Sequence, residues 1–324
     1  MNRRMVFLCL VVALTLSGCG QDGNVKVRPA KKGQITVGFS QIGESSLWRA
    51  ANTKSIKHSL SIENVRLIFA VAGLSREKQI ADIQGFIRDK VDVIAFSPVV
   101  ENGYDDVLRE ARQAKIPVIL TDRAIRTSEP GLYVSSIGSN FTAEGSSAAV
   151  WVKGEFRTTR KTVNIVELEG TAGSAPAVQR KAGFLEGLGG DPRFRIVASR
   201  NGNFSRPEGE AAMKAVLRSR RDIDVVFAQN DDMGIGALAA IEAAGKRPGK
   251  DIKVVTIDAI HDGLIALSKG RINYIVECNP LIGPQLMRLI KDVFLGLPVP
   301  MRVDTEEMVF FPDNVNDYIH EREY

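Results

Sequence analysis

From Gln34 onward the chain alternates between short, almost wholly apolar runs and longer segments whose apolar residues recur three and four positions apart. The short runs fall at 35–40, 65–71, 91–97, 116–121 and 132–137, and resume at 162–168, 194–199, 225–229, 252–257 and 272–276. Runs such as Val93-Ile94-Ala95-Phe96 and Val254-Val255-Thr256-Ile257 do not alternate with polar residues. Strands of that kind are buried on both faces, as in parallel sheets covered by helices. Between them, Ile80, Ile83 and Ile87 share one helix face, as do Val107, Ala111 and Ala114, and later Met233, Ala237, Leu238 and Ile241. Each stripe is read as core. Strand and helix in steady alternation predict an α/β fold with right-handed crossovers and doubly wound sheets. Ten strands are many for one open sheet, so two sheets of five or six are expected. Seams are placed near Ser139-Asn140 and between Glu277 and Pro280. The helix at 281–295 is expected to return to the first unit, and a last strand near 308–311 to cross back to the second.

The N-terminus breaks this pattern. Arg3 and Arg4 precede an apolar stretch of about a dozen residues, too short to cross a bilayer comfortably. Small residues follow, which reads as a secretory signal over residues 1–18. Leu16-Ser17-Gly18-Cys19 also resembles a bacterial lipobox, so Cys19 is the expected lipidation site and 19–33 a flexible tether. The expected location is the periplasm or cell surface, membrane-anchored. Of three cysteines only Cys278 remains in the folded part, so no intrachain disulfide is available.

Charge narrows the function. The 43 basic residues barely exceed the 38 acidic ones, with no Lys/Arg run and no basic stripe interleaved with aromatics, which argues against a nucleic-acid partner. Ligands of doubly wound sheets bind at the carboxyl ends of strands. Glu44, Ser45, Ser46, Trp48 and Arg49 follow the first run, and Asp122 and Arg123 the fourth. Gly170-Thr171-Ala172-Gly173-Ser174, with Arg180 beyond it, follows the sixth, and Asn203-Phe204-Ser205-Arg206 the seventh. Asn230, Asp258 and Glu277 follow the eighth, ninth and tenth. Planar Asp, Asn and Arg groups can bridge the adjacent hydroxyls of a sugar, and Trp48 and Phe204 can stack on its C–H face.

These residues carry a resemblance. Phe227-Ala228-Gln229-Asn230-Asp231-Asp232, Leu120-Thr121-Asp122-Arg123 and Thr256-Ile257-Asp258-Ala259 resemble the periplasmic sugar-binding proteins of the ribose-binding type. Residues 37–43 with Trp48-Arg49, together with 166–173, 179–184 and 202–206, look like the galactofuranose-binding branch of ABC importer receptors. The resemblance implies two doubly wound parallel-sheet lobes joined by a three-segment hinge. With the seams above, the N-terminal lobe takes 34–138 plus 278–304 and the C-terminal lobe 139–277 plus 305–324. It implies sugar-binding roles for Trp48, Arg49, Asp122, Arg123, Arg180, Asn230 and Asp258, with Phe204 at the pocket wall and Glu277 at the hinge; Ser45 and Ser46, placed after the first run, join the expected sugar-binding set. It also implies a monomer without a cofactor that delivers a monosaccharide to an ABC permease and its ATPase. Three departures stand out: Glu44-Ser45-Ser46-Leu47 before the tryptophan, Asn203 for a commoner Asp, and Ala259 for a commoner Gly.

Three rivals are weighed against this. A regulator of the same core needs a helix-turn-helix where the signal sequence stands. An enzyme lacks support: His58, His261 and His320 have no metal spacing, and Asp231-Asp232 at a helix start suit its dipole better than glycosidase chemistry. A sensor that docks on a membrane kinase or chemoreceptor would bind the same sugar and differ only in its partner.

Overall fold

The structure is a computed structural model that describes residues 33–44 and 46–324. The signal sequence, Cys19, nearly all of the tether and Ser45 lie outside the described residues.

Two six-stranded sheets form. The first is built from β1 (Thr36–Gln41), β2 (Arg66–Val71), β3 (Val93–Phe96), β4 (Val118–Thr121), β5 (Ser135–Gly138) and β11 (Arg302–Asp304), in the order β11-β5-β4-β3-β1-β2. Every pairing in it is parallel. The second holds β6 (Val163–Glu169), β7 (Phe194–Asn201), β8 (Val225–Ala228), β9 (Lys253–Asp258), β10 (Tyr274–Glu277) and β12 (Val309–Phe310), in the order β12-β10-β9-β8-β6-β7. It is parallel except at the edge, where β12 runs antiparallel to β10. The two orders are the same doubly wound plan used twice.

The uninterrupted apolar runs are explained by cover on both faces. In β3, Val93 and Ala95 join the cluster beneath α1 (Leu47–Ile62) and α9 (Gly283–Phe294), while Ile94 and Phe96 join the cluster beneath α2 (Arg76–Arg88) and α3 (Asp105–Gln113). In the second lobe Val225 and Phe227 face α4 (Phe141–Glu155) and α5 (Ala175–Leu188). Val226 and Ala228 face α6 (Arg206–Ser219) and α7 (Asp231–Ala243). The fifth strand starts later than its apolar run suggested, at Ser135, because Ser135 and Ser136 hydrogen-bond to the carbonyls of Pro300 and Met301 on the approach to β11. That polar edge is why β11 was not foreseen as a strand.

The chain crosses between lobes three times: between β5 and α4, between β10 and α9, and between β11 and β12. One packing detail positions the site. A Cβ on Gly183 would lie 1.9 Å from the Thr142 carbonyl oxygen, and one on Gly145 would lie 2.0 Å from that of Arg180. Without those side chains α4 and α5 lie close enough for Arg180 to reach Glu144 on its neighbour.

Candidate functional site

The carboxyl ends of the two sheets face each other, and the cleft between them is lined from both lobes. The first lobe supplies Ser46, Trp48, Arg49, Asp122 and Arg123; the second supplies Arg180, Phe204, Asn230 and Asp258. Nearly every described residue expected at the sugar therefore converges there.

α1 starts at the mouth of this cleft because the Ser46 hydroxyl caps it, accepting from the Arg49 amide at 3.1 Å. Trp48 and Arg49 thus stand in the first turn. The Trp48 indole joins the apolar cluster of the opposite lobe with Phe141 and Ile260, and its Nε1 donates to the Cys278 carbonyl at 2.5 Å. The Arg49 guanidinium lies over that indole at 4.6 Å and donates to Asp122 at 2.5 Å. Asp122 also accepts from the Ser97 hydroxyl at 3.1 Å. Burial pushes the Asp122 carboxyl up, but Arg49 and Arg123 outweigh it and hold it below its ordinary value. For Arg123, burial outweighs Asp122 and pushes the guanidinium down to about 10, still charged at neutral pH. Its Nη1 donates to the Val99 carbonyl at 3.1 Å, and its buried Nε has no acceptor among the described residues.

Across the cleft Arg180 donates to Glu144 and to the Gln229 carbonyl, both at 2.6 Å, and lies 3.6 Å from Asp258. Burial raises the Asp258 carboxyl well above its ordinary value, with Arg180 offsetting only part of it. Phe204 lies 5.6 Å from the Arg123 guanidinium and 5.9 Å from that of Arg180. Asn230 has two duties already: its Oδ1 caps α7 by accepting from Met233 N at 3.0 Å, and its Nδ2 donates to the Phe204 carbonyl at 3.3 Å. Asp231, read from sequence as a dipole partner, does start α7, yet it is fully buried. It accepts from the Thr256 hydroxyl at 2.5 Å and from Ile260 N at 2.8 Å, tying the turn that carries Asp258 to the helix start.

Glu277 is the exception. It ends β10, but its carboxylate accepts from Arg322 at 2.6 Å and from Met308 N at 3.0 Å, and does not line the cleft. Its charge is occupied by the C-terminal segment. Phe141, Leu74 and Cys278 line the cleft and were missed. Each follows a strand, β5, β2 and β10 respectively, and being apolar or weakly polar none stands out by charge.

The lobes also touch outside the cleft. Glu101 N donates to the Gly173 carbonyl at 3.1 Å, and Gln179 Nε2 to the Glu101 carboxylate at 3.2 Å. With Trp48 seated in the opposite lobe, the arrangement is a closed one.

A family described as "Periplasmic binding protein domain" matches residues 37–297. The galactofuranose-binding protein YtfQ of Escherichia coli is 35% identical over 292 residues, covering 89% of this chain and 91% of its own length. A Mycobacterium smegmatis protein solved with β-D-fucofuranose is 52% identical with a TM-score of 0.87, covering 90% of this chain and 95% of that one. The binding component of the arabinose ABC transporter of Shewanella sp. ANA-3, solved with L-arabinofuranose, is 34% identical with a TM-score of 0.85, covering 89% and 96%.

The buried Asp231 generates a pH prediction. Burial, partly offset by Thr256 and Ile260, pushes its carboxyl up to about 7. An unfolded aspartate releases its proton near pH 4. Folding therefore takes up a proton between those values, so Asp231 favours the fold most below about pH 4 and that contribution is lost as pH rises through 7. Urea midpoints at pH 4.5 and 7.5 should show the wild type losing stability relative to Asp231→Asn as pH rises. An unchanged gap between the two proteins would refute the buried, protonated carboxyl.

Proposed function

The chain belongs to the periplasmic binding protein family, and from that premise we propose that it is the extracytoplasmic receptor of an ABC importer for galactofuranose or a closely related aldofuranose. The observation that carries this is the cleft itself. Arg49 paired with Asp122 stands opposite Arg180 paired with Asp258, with Trp48 and Phe204 supplying aromatic faces. Planar charged groups held in pairs recognise adjacent hydroxyls, and an aromatic face takes the apolar side of a sugar ring. No nucleophile–base pair is needed for that role, and capture by closure fits the cross-cleft contacts.

The similar proteins suggest which sugar. D-Fucose is galactose without its 6-hydroxyl, and L-arabinose shares the galactose arrangement of ring hydroxyls. A common galactose-type pattern in a five-membered ring is the simplest ligand consistent with all three relatives. In water the furanose is a minor form of these sugars. The apparent affinity measured with free galactose is therefore weakened by that fraction.

Thermal shift against galactose, fucose, L-arabinose, ribose and glucose tests the reading, because a ligand of the folded state alone raises the melting temperature. The galactose-configured sugars should give the largest shifts, and no shift with any sugar would overturn the assignment. Asp122→Ala leaves Arg49 and Arg123 facing each other unpaired and should cost about 2–5 kcal/mol of sugar affinity by calorimetry. Gln179 does not line the cleft, so Gln179→Ala should weaken sugar binding only through closure, by about tenfold or more for one hydrogen bond to a charged group. An unaltered affinity would separate the Glu101 contact from closure. Lipid anchoring at Cys19 belongs to the same reading. Its check is the mass of the protein from native membranes, where an unmodified Cys19 would remove the anchor.

A further inference from the structure

We propose that Glu144, Cys278 and Glu307 form a site for a thiophilic divalent cation, of the Zn²⁺ type, at the hinge between the lobes. The site does not depend on which sugar is bound. The three ligand atoms, two carboxylate oxygens and one thiol sulfur, all lie within 4.8 Å of one another. Each comes from a different part of the hinge. Glu144 is in the first turn of α4, just past the first crossing; Cys278 is in the second crossing; Glu307 is in the third.

The carboxylate of Glu144 argues for a missing ligand. The residue is only 2% exposed. Its Oε2 accepts from Arg180, while its buried Oε1 has, among the described residues, no donor beside it but the weak one of the Cys278 thiol. A buried carboxylate oxygen left unsatisfied is costly, and native proteins seldom tolerate one without a role. Facing it are a thiol 3.2 Å from the Ser139 hydroxyl and a half-buried Glu307 that accepts from the Thr305 hydroxyl at 2.9 Å. The remaining charge on this side is Arg180, which would repel a cation. Its charge is already met by Glu144 Oε2 and by Asp258.

The ligand chemistry selects the metal class. One sulfur with two carboxylates suits Zn²⁺ and its neighbours rather than Mg²⁺ or Ca²⁺, which take oxygen alone. Tetrahedral zinc with about 2.3 Å to sulfur and about 2.0 Å to oxygen sets those ligands about 3.5 Å apart. The triad would thus draw in by about an ångström, most of it at Glu307, which lies in the third crossing outside any strand. Cys278 lines the cleft, which gives the ion a path in. An ion held by all three crossings would fix the lobes in the closed arrangement that brings its ligands together.

Zinc titrated calorimetrically into the chelator-treated protein should show one saturable site per chain, and Co²⁺ should give a thiolate-to-metal charge-transfer band. Glu307→Gln should weaken zinc by about tenfold or more, with sugar binding in chelator unchanged because Glu307 does not line the cleft. Cys278→Ser should abolish the cobalt band. Small-angle scattering should show zinc alone compacting the wild type but not Glu307→Gln. Absence of saturable zinc binding, a cobalt spectrum without the thiolate band, or equal zinc affinity in wild type and both variants would each overturn the site.

Discussion

Buried charge is the constraint on which the rest of the molecule depends. Arg49, Asp122, Arg123, Glu144, Arg180 and Asp258 are all less than a tenth exposed. An isolated ion taken out of water costs several kcal/mol, so each needs a partner placed with accuracy. Arg49 and Asp122 are paired within the first lobe, and Arg180 binds Glu144 within the second. Each lobe thereby neutralises most of its own half-site before the halves meet. Pairing across the cleft instead would leave an open lobe with bare charges and a closed one already satisfied without ligand.

Placement of these groups requires unusual backbone. Asp122 has φ 61°, Asn203 51°, Phe204 59°, Asp258 125° and Ala259 61°. Left-handed conformations cost a residue with a side chain of the order of 1–2 kcal/mol. Such strain collects where a site over-determines the chain. Two glycines make room for it. A Cβ on Gly138 would sit 2.4 Å from the Asp122 carbonyl oxygen, and one on Gly170 would overlap the Phe204 ring at 1.8 Å. The turns after β4, β7 and β9 are thus bent to aim side chains, and the neighbouring strand ends are pared back to admit them. Asn203 suits this role, since Asn tolerates the left-handed region better than most residues.

The sequence makes the fold legible wherever burial on both faces is continuous. Val93-Ile94-Ala95-Phe96 reads as a central strand because no polar residue could survive on either side of it. Legibility fails where strands are short and polar. β11 is three residues, Arg302–Asp304, and is recognisable only from the partner that it finds in β5. The site was legible through charge at strand ends, although charge alone does not separate Asp258 in the cleft from Glu277 at the hinge, which faces Arg322 and Met308. Phe141 and Leu74 escaped because an apolar residue at a strand end is indistinguishable from core until the opposite lobe is in view.

The same network explains why closure should depend on ligand. Closing gains contacts that need no sugar: Trp48 Nε1 to the Cys278 carbonyl, and Glu101 to Gly173 and Gln179. It also dries groups that the protein leaves incomplete. Arg123 Nε has no acceptor among the described residues, and Asp258 meets Arg180 only at 3.6 Å, beyond hydrogen-bond distance. Those deficits lie in the cleft, where sugar hydroxyls act as acceptors to the guanidinium and donors to the carboxylate. Contacts between the lobes and incompletely paired polar groups in the cleft therefore act together: a sugar whose hydroxyls meet Arg123 and Asp258 gains interactions that the closed arrangement alone offers, and shifts the population toward it.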